Sequence, residues 1–148
     1  LCCAGFLARA GMPALVLERG PRPARKVLVT GKGMNSCDIT LKQFKMKTCF
    51  AKVITGNAER NIKSEALKGL LHDYHLAANE IVYVGDALSD ITECRKANVM
   101  CLSAAWSIPQ NEVTTLESSN PKNVFCSIPS LSDYLLASDN RITLHTDR

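Results

Sequence analysis

From Cys49 to Ile128 the chain alternates short, continuously apolar runs with stretches whose apolar residues recur every three or four positions. That alternation admits few folds. Cys49–Thr55, Ile81–Val84, Val99–Ala104 and Val124–Ile128 read as mostly apolar strands. Between the first two, Ile62, Ala66, Leu67, Leu70, Leu71 and Tyr74 follow one helical face, with Asn61 or Ser64 placed to cap it. Leu88, Ile91, Cys94 and Ala97 mark a second helix, and Pro129 suits the first turn of a third carrying Leu131, Tyr134 and Leu135. Strands that are apolar on both sides need cover on both faces, which a parallel sheet flanked by helices provides. The expected fold class is α/β: a three-layer sandwich around a mostly parallel sheet of about five strands.

The N-terminal third is less regular. Residues 2–10 read as a short helix stopped by Gly11, Ala14–Glu18 as a strand, and Lys26–Thr30 as another closed by Gly31-Lys32-Gly33. From Met34 to Lys47 no clean period survives, so 34–48 is expected to be a junction. Charge changes at the same place. Residues 1–52 carry 10 basic and 2 acidic side chains, whereas residues 53–148 carry 8 and 12. The basic run from Arg19 to Lys52 interleaves only Phe44 and Phe50, which suits a solvated face better than a nucleic-acid surface.

No apolar run nears the roughly 20 residues of a membrane-spanning helix, so no membrane partner is expected. The seven cysteines include no Cys-x-x-Cys pair and no His at ligand spacing, which points away from zinc. Several lie in apolar runs, as buried thiols do, and a reducing cytoplasm is the expected location. His72, His75 and His145 have no Cys or carboxylate partner at catalytic spacing.

The segment Val82-Tyr83-Val84-Gly85-Asp86-Ala87-Leu88-Ser89-Asp90 carries the chemistry. It sets one acid at the carboxyl end of a buried strand, where open parallel sheets bind ligands, and another four residues on. That spacing puts both carboxylates on one side of a starting helical turn. Two hard oxygen ligands with room for water and a phosphate match the preference of Mg²⁺. Upstream, Lys63 opens a helix, where its ammonium can neutralise a phosphoryl oxygen.

Lys63-Ser64-Glu65-Ala66-Leu67, then Glu80 to Asp90, then Val99 to Trp106 resemble the C-terminal half of a haloacid dehalogenase-superfamily hydrolase over roughly 49–137. The resemblance implies a Rossmann-like sandwich and Mg²⁺-dependent hydrolysis of a small phosphorylated metabolite. In that family a Lys at a helix start is the third motif, matched by Lys63. An acidic pair of the GDxxxD kind is the fourth and helps hold Mg²⁺, matched by Asp86 and Asp90. The second motif is a Ser or Thr ending a strand, for which Thr55 is the expected phosphate-binding candidate. The first is an apolar strand ending in Asp-x-Asp-x-Thr, whose first Asp is the nucleophile. No such stretch occurs in these 148 residues. The resemblance therefore implies a site that is inactive alone, unless a complementing chain supplies the rest.

Residues 1–33 carry a second resemblance. Ala4 to Gly11, Ala14 to Arg19 and Pro23 to Gly33 are similar to a βαβ fragment of bacterial FAD-dependent oxidoreductases, with Glu18 where such enzymes contact the adenosine ribose. The Gly-x-Gly-x-x-Gly turn that receives the pyrophosphate is absent. The expected organisation is a flavoprotein-like fragment (1–33), a junction (34–48), a hydrolase-like half (49–137) and a polar tail (138–148). Three functions follow: a Mg²⁺-dependent phosphatase, a fragment of an FAD oxidoreductase, or a non-catalytic binding module.

Overall fold

Among the described residues six short strands hydrogen-bond into one sheet, in the spatial order Lys52–Thr55, Lys26–Thr30, Leu15–Glu18, Ile81–Gly85, Met100–Ala104 and Val124–Phe125. The computed structural model describes residues 15–18, 26–56 and 62–143. The strands are β1 (Leu15–Glu18), β2 (Lys26–Thr30), β3 (Lys52–Thr55), β4 (Ile81–Gly85), β5 (Met100–Ala104) and β6 (Val124–Phe125). The helices are α1 (Met34–Gln43), α2 (Lys63–Asp73), α3 (Leu88–Lys96), α4 (Gln110–Ser119) and α5 (Ile128–Thr143). β2 and β3 are parallel, as are β4, β5 and β6. β1 lies between the two blocks and runs antiparallel to both.

The pleat sorts the core into two layers, because successive strand side chains point to opposite faces. Val27, Val29, Ile81, Tyr83 and Cys101 pack on one face against Leu67 and Leu70 of α2, Ile91 and Cys94 of α3, and Leu116 of α4. Val82, Val84 and Leu102 turn the other way, against Leu131 of α5. On that second face Leu28 meets Cys37 and Leu41 of α1. Leu28, Leu67, Tyr83, Leu102 and Leu131 are all but fully buried, and each such side chain stabilises by about 1.5–3 kcal/mol relative to exposure. The expected three-layer α/β sandwich is present, with a sheet that is parallel except for β1.

Several elements differ from the sequence reading. The expected junction over 34–48 contains α1, whose buried residues Cys37 and Leu41 are four apart and so share a face. Its period was blurred by Met34 and Ile39, which are apolar yet 73% and 65% exposed. α4 was not foreseen, because it buries only Val113 and Leu116 along ten residues. α5 runs on through Thr143, where a polar tail was expected from Ser138. The expected helix over 2–10, Asn61 and His145 lie outside the described residues. No helix among the described residues is long and apolar enough to cross a membrane.

Candidate functional site

The carboxyl ends of β2, β3 and β4 share one edge of the sheet. Leu15 is level with both Leu28 and Val84, so Thr30 and Gly85 both run past the start of β1. Thr30 and Thr55 are register partners. Beyond them the loops Thr30-Gly31 and Thr55-Gly56 touch, and a side-chain carbon on Gly56 would stand 3.2 Å from Gly31 Cα. The Gly56 amide donates to the Thr30 carbonyl at 2.8 Å.

β4 delivers the acidic pair. After Gly85 the chain turns through Asp86 and Ala87 into α3, and Asp90, third residue of that helix, folds back over the turn. One oxygen, Oδ2, accepts from the amides of Asp86 (3.2 Å) and Ala87 (3.0 Å). The other, Oδ1, accepts from Lys63 Nζ at 2.5 Å and from the Tyr83 hydroxyl at 3.0 Å. Asp90 is completely buried, and a buried carboxylate is tolerated when paired and hydrogen-bonded in this way. Burial first, and then the Asp90 charge, push the Tyr83 hydroxyl far above its ordinary range, so it stays a donor.

Lys63 is the first residue of α2 and only 16% of its side chain is exposed. Ser64, one of the two expected N-caps, does not close that helix end. Ile62 occupies the cap, and the Ser64 amide instead donates to Glu93 Oε2 of α3 at 3.3 Å. Glu93 also pairs with Lys96 at 2.6 Å, which together with the Ser64 contact holds its carboxyl below the usual range. Two independent links thus tie α2 to α3: Lys63 to Asp90, and Ser64 to Glu93.

Asp86 is half-buried beside this arrangement. Burial, reinforced by the charge of Asp90 and more weakly by Glu112 of α4, pushes its carboxyl up to about 6, against a smaller opposing pull from Lys63. The folded protein therefore holds a proton there that the unfolded chain releases near pH 4, and stability falls as pH rises from about 4 to 6. Asp86→Asn removes that charge. It is expected to stabilise the protein by about 1–2 kcal/mol at pH 7.5, and by close to nothing at pH 4. Urea unfolding at the two pH values checks this, and a variant weaker than the parent at pH 7.5 would contradict it.

The sequence-derived residues separate into two groups. Lys63, Asp86 and Asp90 come together, with Thr55 on the same edge. Glu18 does not join them: β1 runs antiparallel, and Glu18 pairs with Ile81, at the opposite end of β4 from Gly85. Thr30 was missed. It ends β2, is 4% exposed, and its hydroxyl accepts from the Lys32 amide at 3.2 Å. Its sequence signal is a strand closed by Gly31-Lys32-Gly33, within the stretch that resembles the flavoprotein-like piece. Among the described residues no three His, Cys, Asp or Glu side chains are grouped to hold a metal.

No curated protein and no solved structure matches the chain. A family model described as haloacid dehalogenase-like hydrolase matches residues 24–104. The matched stretch begins before β2, includes α1 and reaches the end of β5, taking in Thr30, Thr55, Lys63, Asp86 and Asp90. It spans more than half of the sequence, and the chain belongs to the haloacid dehalogenase-like hydrolase family.

Proposed function

We propose that this edge of the sheet binds a small phosphate monoester together with Mg²⁺, and that these 148 residues hold a phosphomonoester-hydrolase site without its nucleophile. The observation that carries the reading is the buried Lys63–Asp90 pair beside Asp86, whose carboxyl is pushed up by burial and by a neighbouring negative charge. A cation relieves that repulsion, so the donor set suits a divalent ion. Asp86 would be its protein ligand, because both oxygens of Asp90 are already taken by Lys63, Tyr83 and two amides. Mg²⁺ accepts a site with one or two carboxylates when water and phosphate complete its shell. When bound, it would neutralise charge on the phosphoryl oxygens.

The chain's own groups position the rest. Asp90 and Tyr83 hold the Lys63 ammonium where it can meet a phosphoryl oxygen. Thr30, rather than Thr55, fits the second motif, because it is the buried residue at a strand end with its hydroxyl on the edge. The strand between β2 and β4 would be placed to supply a nucleophile, but β1 runs backwards there and takes Glu18 to the far edge. Loss of a nucleophile removes several orders of magnitude of rate even when binding survives.

The expected result is Mg²⁺-dependent binding of inorganic phosphate in calorimetry, lost in Asp86→Asn, with an aryl phosphate hydrolysed at no more than the background rate. Phosphate binding equal in the presence of chelator, or undiminished in Asp86→Asn, would overturn the reading.

A further inference from the structure

At the edge of the sheet farthest from β6, a helix and a strand leave a groove between them. β3 is the outermost strand: it pairs in parallel with β2, and among the described residues no strand lies on its other side. The Ala51 amide donates to the Lys26 carbonyl at 2.9 Å. Main-chain groups alternate in direction along a strand, so those of Val53 and Thr55 also face β2. The N–H and C=O of Lys52 and Ile54 therefore face outward. Met34, Cys37 and Leu41 of α1 form one wall of a cavity of about 330 Å³, and Phe50 and Val53 form the other. Val53 is 38% exposed although its register partner Leu28 is fully buried, so the space over the strand is not filled from within.

Sheet edges are often guarded against an added strand by charged side chains, lysine above all. Lys52 does not guard this one. Its register partner Val27 belongs to the layer that packs on α2, and on that face Asp73 pairs with the ammonium at 3.4 Å and the Tyr74 ring lies 5.9 Å from it. Charge around the groove is one-sided. Residues 26–56 contain six lysines and a single acid, Asp38. That acid is shared by Lys42 at 2.6 Å and Lys47 at 2.8 Å, and exposed Lys45 lies between them in sequence.

We propose that an extended, acidic segment of a partner protein, with apolar residues at alternate positions, docks here as a strand added to β3. Its main chain would bond the outward groups of Lys52 and Ile54, and the apolar side chains on one side of it would enter the cavity beside α1. Its carboxylates would meet the excess of Lys42, Lys45 and Lys47, which also turns basic segments away. A second copy of this chain is the poorer occupant, because a two-fold contact would set the same lysine-rich edge against itself. The docking is independent of the phosphate site.

The test uses the full chain with a capped, fluorescein-labelled peptide of alternating Glu and Val, about eight residues long and so able to span β3. A Lys-Val peptide of the same length is its counterpart. Fluorescence anisotropy should show binding of the Glu-Val peptide and none of the Lys-Val peptide. Amide exchange followed by NMR should slow by at least about tenfold at Lys52 and Ile54 when the peptide is bound, with no such change at Val53. Val53→Glu should weaken binding by at least about tenfold, and Lys45→Glu, a surface change that leaves the groove intact, by several-fold. No binding of the Glu-Val peptide, equal binding of the Lys-Val peptide, or affinity undiminished in both variants would overturn the proposal. Binding without slowed exchange at Lys52 and Ile54 would do the same, as mere adhesion of charge. So would a dimer in sedimentation whose Lys52 and Ile54 amides are already slow without peptide, because a second copy would then fill the edge.

Discussion

Asp90→Ala should cost about 3–5 kcal/mol of folding stability, the range seen when one partner of a buried ion pair is removed. Three kinds of donor converge on this one carboxylate: the Lys63 ammonium, the Tyr83 hydroxyl and the amides of Asp86 and Ala87. Truncation strands all of them in a position with no exposure to water. A domain of this size is stable by only about 5–15 kcal/mol, so the variant should unfold at a much lower urea concentration. A double variant with Lys63→Met removes the stranded charge and should recover part of the loss, as a non-additive double-mutant cycle. A midpoint for Asp90→Ala close to that of the parent would show that Asp90 is not the keystone of this corner.

Gly85→Ala should be almost as damaging, for a steric reason. A side-chain carbon at Gly85 would overlap the Asp90 carboxylate and stand 2.8 Å from Tyr83 Cε1. Neither neighbour can yield cheaply, since the carboxylate is fixed by its donors and the ring is fully buried. About 3 kcal/mol or more of destabilisation is expected, together with loss of phosphate binding. The same substitution on top of Asp90→Ala should cost less, because the carboxylate is gone while the contact with Tyr83 remains. Gly69→Ala is the control. That glycine lies inside α2 with nothing within 4 Å of an added carbon, so alanine should stabilise by about 0.5–1 kcal/mol. Thermal or urea unfolding of the three variants side by side would separate crowding at Gly85 from any general effect of alanine.

The legibility of the fold followed how many core residues each element contributes. β4, with all five residues buried, stood out as an apolar run, and its bounds differ by a single residue from the strand expected. α3 buries four residues, and α2 adds the partly buried Ala66 and Leu71 to buried Leu67 and Leu70, enough periodic positions for both to be recognised. α1 and α4 bury only two residues each, too few to establish a period against exposed Met34 and Ile39 or the threonines of α4. Thr30 was hidden differently. A strand closed by glycines was visible, but nothing local says which strand it joins, and only the sheet pairs Lys26–Thr30 in parallel with β3.

The acidic pair shows the same division most clearly. Residue types and spacing alone determined that Gly85, Asp86 and Asp90 lie at a strand-to-helix turn with Lys63 opening an earlier helix. Those are consequences of chain periodicity and of where glycine permits a tight turn. Only the tertiary structure decided that the two acids have different tasks. Asp90 is turned inward and spent on Lys63, Tyr83 and two amides, while Asp86 stays half-buried with its carboxyl pushed up to about 6. Burial and the charge of each neighbour determine that difference, and both depend on residues far apart in sequence. The same holds for β1. Its sequence marked a strand, but only pairing with β2 and β4 decided that it runs backwards and carries Glu18 away from the site.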